Sequence, residues 1–207
     1  AYTVGGHMVL DEATRRNLEL LRPIRGTGRK GTLLGLLDRT RTPMGGRMLR
    51  EWIVRPLTHR PTLAERHDAV DALLDPHLRG PLRDALVSVA DLERLASKVA
   101  QETANARDLV ALATSLRALP GVARLIRDEP ALTARVPEDT VDDAASDIHF
   151  WLVDEPPSAT TEGGIIRAGV HPELDELVTL SREGKGAMAR MESRERQRTG
   201  ISSLRVK

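Results

Sequence analysis

The stretch Thr42-Pro-Met-Gly-Gly-Arg-Met-Leu-Arg-Glu-Trp-Ile-Val-Arg-Pro-Leu57 decides the fold class. Threonine is a strong N-cap, and proline at the first helical position loses only an amide that has no partner there anyway. Met44, Met48 and Trp52 then recur at i, i+4 and i+8, the period of one helix face. Pro56 forbids continuation. The spacing predicts a helix over 43–55, with Met48 and Trp52 in the core and the Gly45-Gly46 corner serving close packing.

The same grammar repeats outward. Asp11 is an N-cap for a helix ending near Leu21, where Pro23 stops it. Residues 25–31 (Arg-Gly-Thr-Gly-Arg-Lys-Gly) are a loop, and 32–39 a short helix. Pro61 opens a helix with Leu63, His67, Val70 and Leu74 along its inner face. Pro76, Gly80 and Pro81 punctuate before amphipathic segments at 82–100 and 105–119. Prolines and glycines between Pro120 and Pro137 predict short helices and turns. A helix follows near 138–153. Glu155 to Gly169 is a Pro-, Thr- and Gly-rich extended connector, and Pro172 starts a long helix running to about Arg198. Its seam of Leu174, Leu177, Ser181, Gly184, Met188 and Met191 is weak. Gly184 and Gly186 each cost about 1 kcal/mol against alanine, which makes them hinge candidates. After Gly200 the chain alternates like an opening strand. The predicted class is all-α.

Composition narrows the chemistry. Among 207 residues there is no cysteine, which removes disulfides, thiolate metal sites and cysteine nucleophiles. Four aromatics (Tyr2, Trp52, Phe150, Trp151) are too few for a platform that stacks single-stranded nucleic acid. No apolar run is read as approaching the roughly 20 residues that span a bilayer, so no membrane partner is expected.

The net charge of +1 conceals two basic zones around an acidic middle. Residues 15–60 hold twelve basic against three acidic side chains, 61–181 eleven against twenty-two, and 182–207 eight against three. Such zones address a polyanion locally, or simply solvate the surface.

Reactive constellations are missing. Six scattered histidines show no metal-ligand spacing. His67 reads as a hydrogen-bonded core residue, and Asp142, Asp143 and Asp147 as helix-dipole complements. Gly26-Thr-Gly-Arg-Lys-Gly-Thr32 has Lys-Gly-Thr where a phosphate-binding loop needs Gly-Lys-Thr, and it follows no strand, so it reads as a linker. No enzyme active site is expected. The one site that charge spacing supports is a basic stripe near the end of the last helix, Arg190, Arg194 and Arg198, joined by Arg205 and Lys207. Glu192 with Arg196 and Glu195 with Arg198 supply the competing account of a salt-laced solvent helix.

Several blocks resemble the MutS family of DNA mismatch repair proteins. They are Leu10-Asp-Glu-Ala-Thr-Arg-Arg-Asn-Leu-Glu-Leu20, Gly31-Thr-Leu-Leu, Leu37-Asp-Arg-Thr, the Thr42–Leu57 block, Asp91-Leu-Glu-Arg-Leu95, Arg107-Asp-Leu109 and Glu192-Ser-Arg-Glu-Arg-Gln-Arg-Thr-Gly-Ile201. The resemblance covers about residues 8–207; residues 1–7 carry no block that it places. It implies a helical core (lever) domain over 8–170, and over 171–207 the first helix of the DNA-gripping clamp. The lever would couple that clamp to a C-terminal ATPase. The whole protein would use ATP/ADP and Mg²⁺, pair with a second MutS subunit, bind mismatch-containing double-stranded DNA, meet a MutL-type partner and work in the bacterial cytoplasm at the nucleoid. A lever piece would neither read a mismatch nor hydrolyse ATP by itself. The chain is therefore expected to be a piece of a larger protein. Two alternatives are a helical scaffold module without nucleic acid, and the core of a MutS paralogue acting in recombination or ribosome rescue.

Overall fold

In the computed structural model, residues 3–4, 6–134, 136, 139–201 and 205 are described, save the side chains of Thr3, Val4, Lys185 and Ala187. Local capping starts most of its helices. Asp11 accepts from the Thr14 amide at 2.7 Å and opens α1 (Glu12–Asn17). Thr32 caps α2 (Leu33–Leu37) through the Gly35 amide, and Thr42 caps α3 (Pro43–Val54) through that of Gly45. Next come α4 (Arg60–Ala72), α5 (Pro76–Ala85), a 3₁₀ turn at Leu86–Ser88, and α6 (Leu92–Ala100), capped by Asp91. α7 (Ala106–Ile126) opens on a capping box between Asn105 and Asp108. α8 (Pro130–Thr133), α9 (Asp142–Trp151) and α10 (Pro172–Thr199) complete an all-α architecture.

The helices gather into two bodies. In the first, Leu20, Leu34 and Ile53 are buried together, with Leu10, Leu21 and Leu49 packed around them. An N-terminal hairpin, β1 (Thr3–Val4) with β2 (His7–Met8), lies on it and continues into a bridge from His7 to Leu57. Its anchors are Met8 N–H to the Pro56 carbonyl (2.7 Å) and Thr58 N–H to the Gly6 carbonyl (2.8 Å). The sequence carried no signal for this hairpin. In the second body α7 is the hub, packing against α5, α6, α8 and α9. Ala113 on α7 and Ala145 on α9 are fully buried, small side chains that let these two helices approach closely. Ser115 is buried as well. Its hydroxyl donates to the Ala111 carbonyl (2.7 Å) and accepts the Ala90 amide (2.9 Å), tying the α6 approach to α7.

Several expectations are corrected. The first helix stops at Asn17 rather than Leu21, and Glu19 takes a φ of 48°. In α3 the inner stripe is Leu49 and Ile53; Met48 and Trp52 are 56% and 39% exposed. The two stripes lie one residue, about 100°, apart, and the α2 side of α3 takes the aliphatic one. Trp52 instead carries the Arg66 guanidinium 3.8 Å above its ring, a cation–π contact to α4. On α4, Val70 is exposed and so is His67, which is no core residue; Leu74, just past its end, is exposed as well. Gly80 and Pro81 lie inside α5, and the expected 82–100 segment breaks at 89–91. Pro120 and Gly121 sit inside α7, where packing on four sides outweighs one lost ladder donor. At 21 residues α7 is also long and apolar enough, by length and composition, to cross a bilayer, contrary to the reading that no run approaches this.

The connector behaves as expected. Leu152 bridges Ile166, and Val153 N–H and Arg167 N–H donate to the Ile165 and Trp151 carbonyls, forming a small hairpin. Beyond it α10 runs unbroken for 28 residues, about 42 Å at 1.5 Å per residue. None of its described residues is buried.

Candidate mechanical joint and nucleic-acid interface

Besides α4, which meets Trp52 of α3 and packs on α8, charge links the two bodies. Arg47, one turn into α3, forks onto the cap of α6: Nη1 and Nη2 reach the two Asp91 oxygens at 2.6 and 2.7 Å, and Nε meets Glu93 at 3.1 Å. Arg83 on α5 adds a 2.8 Å bond to the Arg39 carbonyl. A planar guanidinium matches a carboxylate in two parallel bonds, so this clasp fixes direction as well as distance. Its hydrogen bonds hold the Asp91 carboxyl at about 2, below its ordinary 3.8. Asp91 also accepts the Arg94 amide, so one carboxylate both starts α6 and docks α3.

The second body is tied within itself, and to its connector, by directed polar bonds as well. Lys98 bonds both Asp108 oxygens at 2.7 Å, which pulls the Asp108 carboxyl down. Arg107 Nε donates to the Pro156 carbonyl at 2.8 Å. Arg167 Nη2 spans the Leu152 carbonyl and Asp154, each at 2.8 Å, and lowers the Asp154 carboxyl. His149 is pushed below its ordinary value by burial and by Arg117. The start of α10 is capped locally: His171 Nδ1 accepts the Leu174 amide, and Asp175 accepts that of Gly169.

Of the residues singled out in the sequence, Arg190, Arg194 and Arg198 all fall on α10 and are exposed. Arg198 binds Glu195 at 2.8 Å and Arg196 meets Glu192 at 3.3 Å, so both expected ion pairs form. Arg190 and Arg194 make no ion pair among the described residues, which leaves the stripe partly neutralised. Arg205 is exposed; Lys207 lies outside the described residues, and of the strand expected after Gly200 only Ile201 and Arg205 are described, neither of them in a strand. Gly184 would meet nothing within 4 Å of an added Cβ, and Gly186 meets the Arg190 guanidinium at 3.3 Å. α10 passes both without interruption.

The glycine-rich loop does not fit a magnesium nucleotide. The Thr32 hydroxyl is consumed, donating to the Arg29 carbonyl at 2.7 Å and accepting the Gly35 amide at 3.0 Å. The loop presses so closely on α2 that a Cβ at Gly35 would collide with the Arg29 carbonyl oxygen. Among the described residues, no three acidic or histidine side chains gather to hold a metal ion.

Sequence reasoning missed the Arg47–Asp91–Glu93 clasp. Its ends lie in two separate blocks of the family resemblance, but no spacing rule links residues 44 apart.

Comparison with known proteins agrees with this architecture. The family profile described as MutS domain III matches residues 13–205. A relative named DNA mismatch repair protein MutS from Symbiobacterium thermophilum is 51% identical over 99% of the chain and 24% of its own length. Proteins of the same name from Exiguobacterium sp. and Salinibacter ruber are 46% and 45% identical, over 100% and 99% of the chain and 25% and 23% of their own lengths. The chain thus spans about a quarter of the length of the curated relatives it matches. With nearly all of its residues inside that profile, the chain belongs to the MutS domain III family.

Proposed function

We propose that the chain is the lever of a DNA mismatch repair protein, with residues 8–170 as the lever body and 171–207 as the start of the clamp. The observation that carries this reading is the 28-residue α10, which leaves a charge-clasped body through a hydrogen-bonded connector and is unburied along its described length. A helix held only at one end transmits rotation of the body to whatever its far end grips. Coupling needs an element with discrete arrangements, and Gly184 and Gly186, the weakest helix formers in α10, supply the place for it.

In this reading the fragment is not an enzyme. ATP/ADP and Mg²⁺ belong to the ATPase elsewhere in the whole protein, as do pairing with a second subunit and contact with a MutL-type partner. Duplex DNA is held along its backbone, with Arg190, Arg194, Arg198, Arg205 and Lys207 contributing charge near the clamp start. The protein acts in the bacterial cytoplasm at the nucleoid. The mismatch-repair name shared by the relatives favours this over a scaffold module or a paralogue of recombination or ribosome rescue.

The test is Gly184→Ala with Gly186→Ala in the full-length protein. Stiffening α10 is expected to weaken DNA-stimulated nucleotide exchange while leaving exchange without DNA unchanged. Unaltered stimulation would refute the lever role of this helix.

A further inference from the structure

The first body carries a charged feature that the lever reading leaves unused. Two adjacent grooves, of about 490 and 400 Å³, run between the 25–31 loop and α3. They share Arg29 and Arg50 as a common wall, which makes them one trough. Leu21, Arg22, Gly26 and Gly28 line one half; Asp38, Thr40, Thr42 and Arg47 line the other.

Four arginines thus face a single carboxylate in the lining. Arg29 is spent on Asp38 at 2.8 Å, and Arg47 on Asp91 and Glu93. Arg22 and Arg50 have no ion pair among the described residues. The nearby Glu19 carboxylate already accepts the Ile24 amide at 2.6 Å. Gly26 and Gly28, with φ of 91° and 93°, leave the trough floor without side chains, so a ligand could lie against the backbone. The surrounding residues 15–60 carry twelve basic against three acidic side chains.

We propose that this trough binds phosphate groups of a duplex DNA backbone, with Arg22 and Arg50 as the cations that do so. Two unspent guanidiniums along a polar, open channel suit successive phosphodiesters better than one buried anion. A guanidinium offers parallel donors to phosphate oxygens, and contact of this kind reads no sequence. The surface is separate from the α10 stripe and does not depend on it.

The experiment is fluorescence anisotropy of the 207-residue chain with a labelled matched duplex, titrated at several salt concentrations. Each phosphate contact contributes about 0.9 to the slope of log affinity against log salt. Arg22→Ala with Arg50→Ala is expected to flatten the slope by roughly two such contacts. Arg22→Lys with Arg50→Lys keeps the charge and is expected to keep most of the slope, which separates charge from damage to the fold. Inorganic phosphate at matched ionic strength should compete only weakly, since it lacks the linked phosphodiesters. A slope unchanged in the alanine pair, or a chain that does not bind duplex even at low salt, would overturn the proposal. So would a loss confined to Arg190→Ala with Arg194→Ala. The nucleotide-exchange experiment on the full-length protein is read independently, so failure of the trough leaves the lever reading standing.

Discussion

Leu34 and Leu180 are the same residue type, each inside an α-helix of the same chain. Leu34 is 1% exposed and Leu180 is 64% exposed. The first lies in a five-residue helix that could not persist alone, since isolated helices this short are marginal in water. Packing against Leu20 and Ile53 holds it in place. The second lies in a helix of 28 residues whose described side chains find no core. Length and backbone hydrogen bonding hold α10, whereas burial holds α2. The body therefore resists deformation through its contacts, while α10 resists it only along its axis and depends on local helix propensity.

Substitutions can break this contrast. The largest effect is expected at Leu34→Ala, about 3 kcal/mol of destabilisation from lost burial and a residual cavity. Leu180→Ala should stay within about 0.5 kcal/mol, and urea titrations of the two variants make the comparison direct. Equal losses would mean that α10 packs on the body in solution. Ser115→Ala should follow at about 1–2 kcal/mol, because the half-buried Ala90 amide loses its acceptor. Thr42→Ala should cost about 1 kcal/mol as a lost cap, visible in the thermal midpoint.

The clasp between the bodies has its own signature in pH. The Asp91 carboxyl titrates at about 2 against an ordinary 3.8, so Arg47 contributes its full stabilisation above the ordinary value. That contribution declines as pH falls toward 2. Arg47→Ala is expected to lower the midpoint near neutrality and to narrow its gap from the parent chain as pH falls through this window. A gap constant with pH would show that Arg47 acts through packing of its stem. A change of opposite sign is expected at Gly184→Ala, where nothing obstructs the new methyl: a gain of up to about 1 kcal/mol in local helix stability, read by amide hydrogen exchange along α10.

Helix starts were legible because a cap is a local bargain between one side chain and an amide two or three residues on. Asp11, Thr32 and Thr42 each cap the helix that the sequence announced. The all-α class followed from the same signals, and so did the connector and both ion pairs of α10. Which side of α3 faces inward was not legible. Met44, Met48 and Trp52 satisfy the helical period as well as Leu49 and Ile53 do, and periodicity cannot say where the neighbouring helix lies. Breakers misled for a related reason. Gly80, Pro81, Pro120 and Gly121 weaken a helix in isolation, yet α5 and α7 pass through them because neighbours pack on those helices. Of the candidate site, the stripe was readable from charges spaced along one helix. The trough was not, because Arg22 and Arg50 meet only after α3 folds back beside the loop.

By itself, then, the amino-acid sequence determined helix content, the caps, the long terminal helix and the family, all of which depend on contacts within a few residues or on patterns retained along the chain. Tertiary structure alone decided the α3 face that is buried, the continuity of α7, the N-terminal hairpin on Leu57 and the Arg47 clasp to Asp91 and Glu93. Those depend on which surfaces meet across dozens of residues, and burial free energy there outweighs the local preferences on either side.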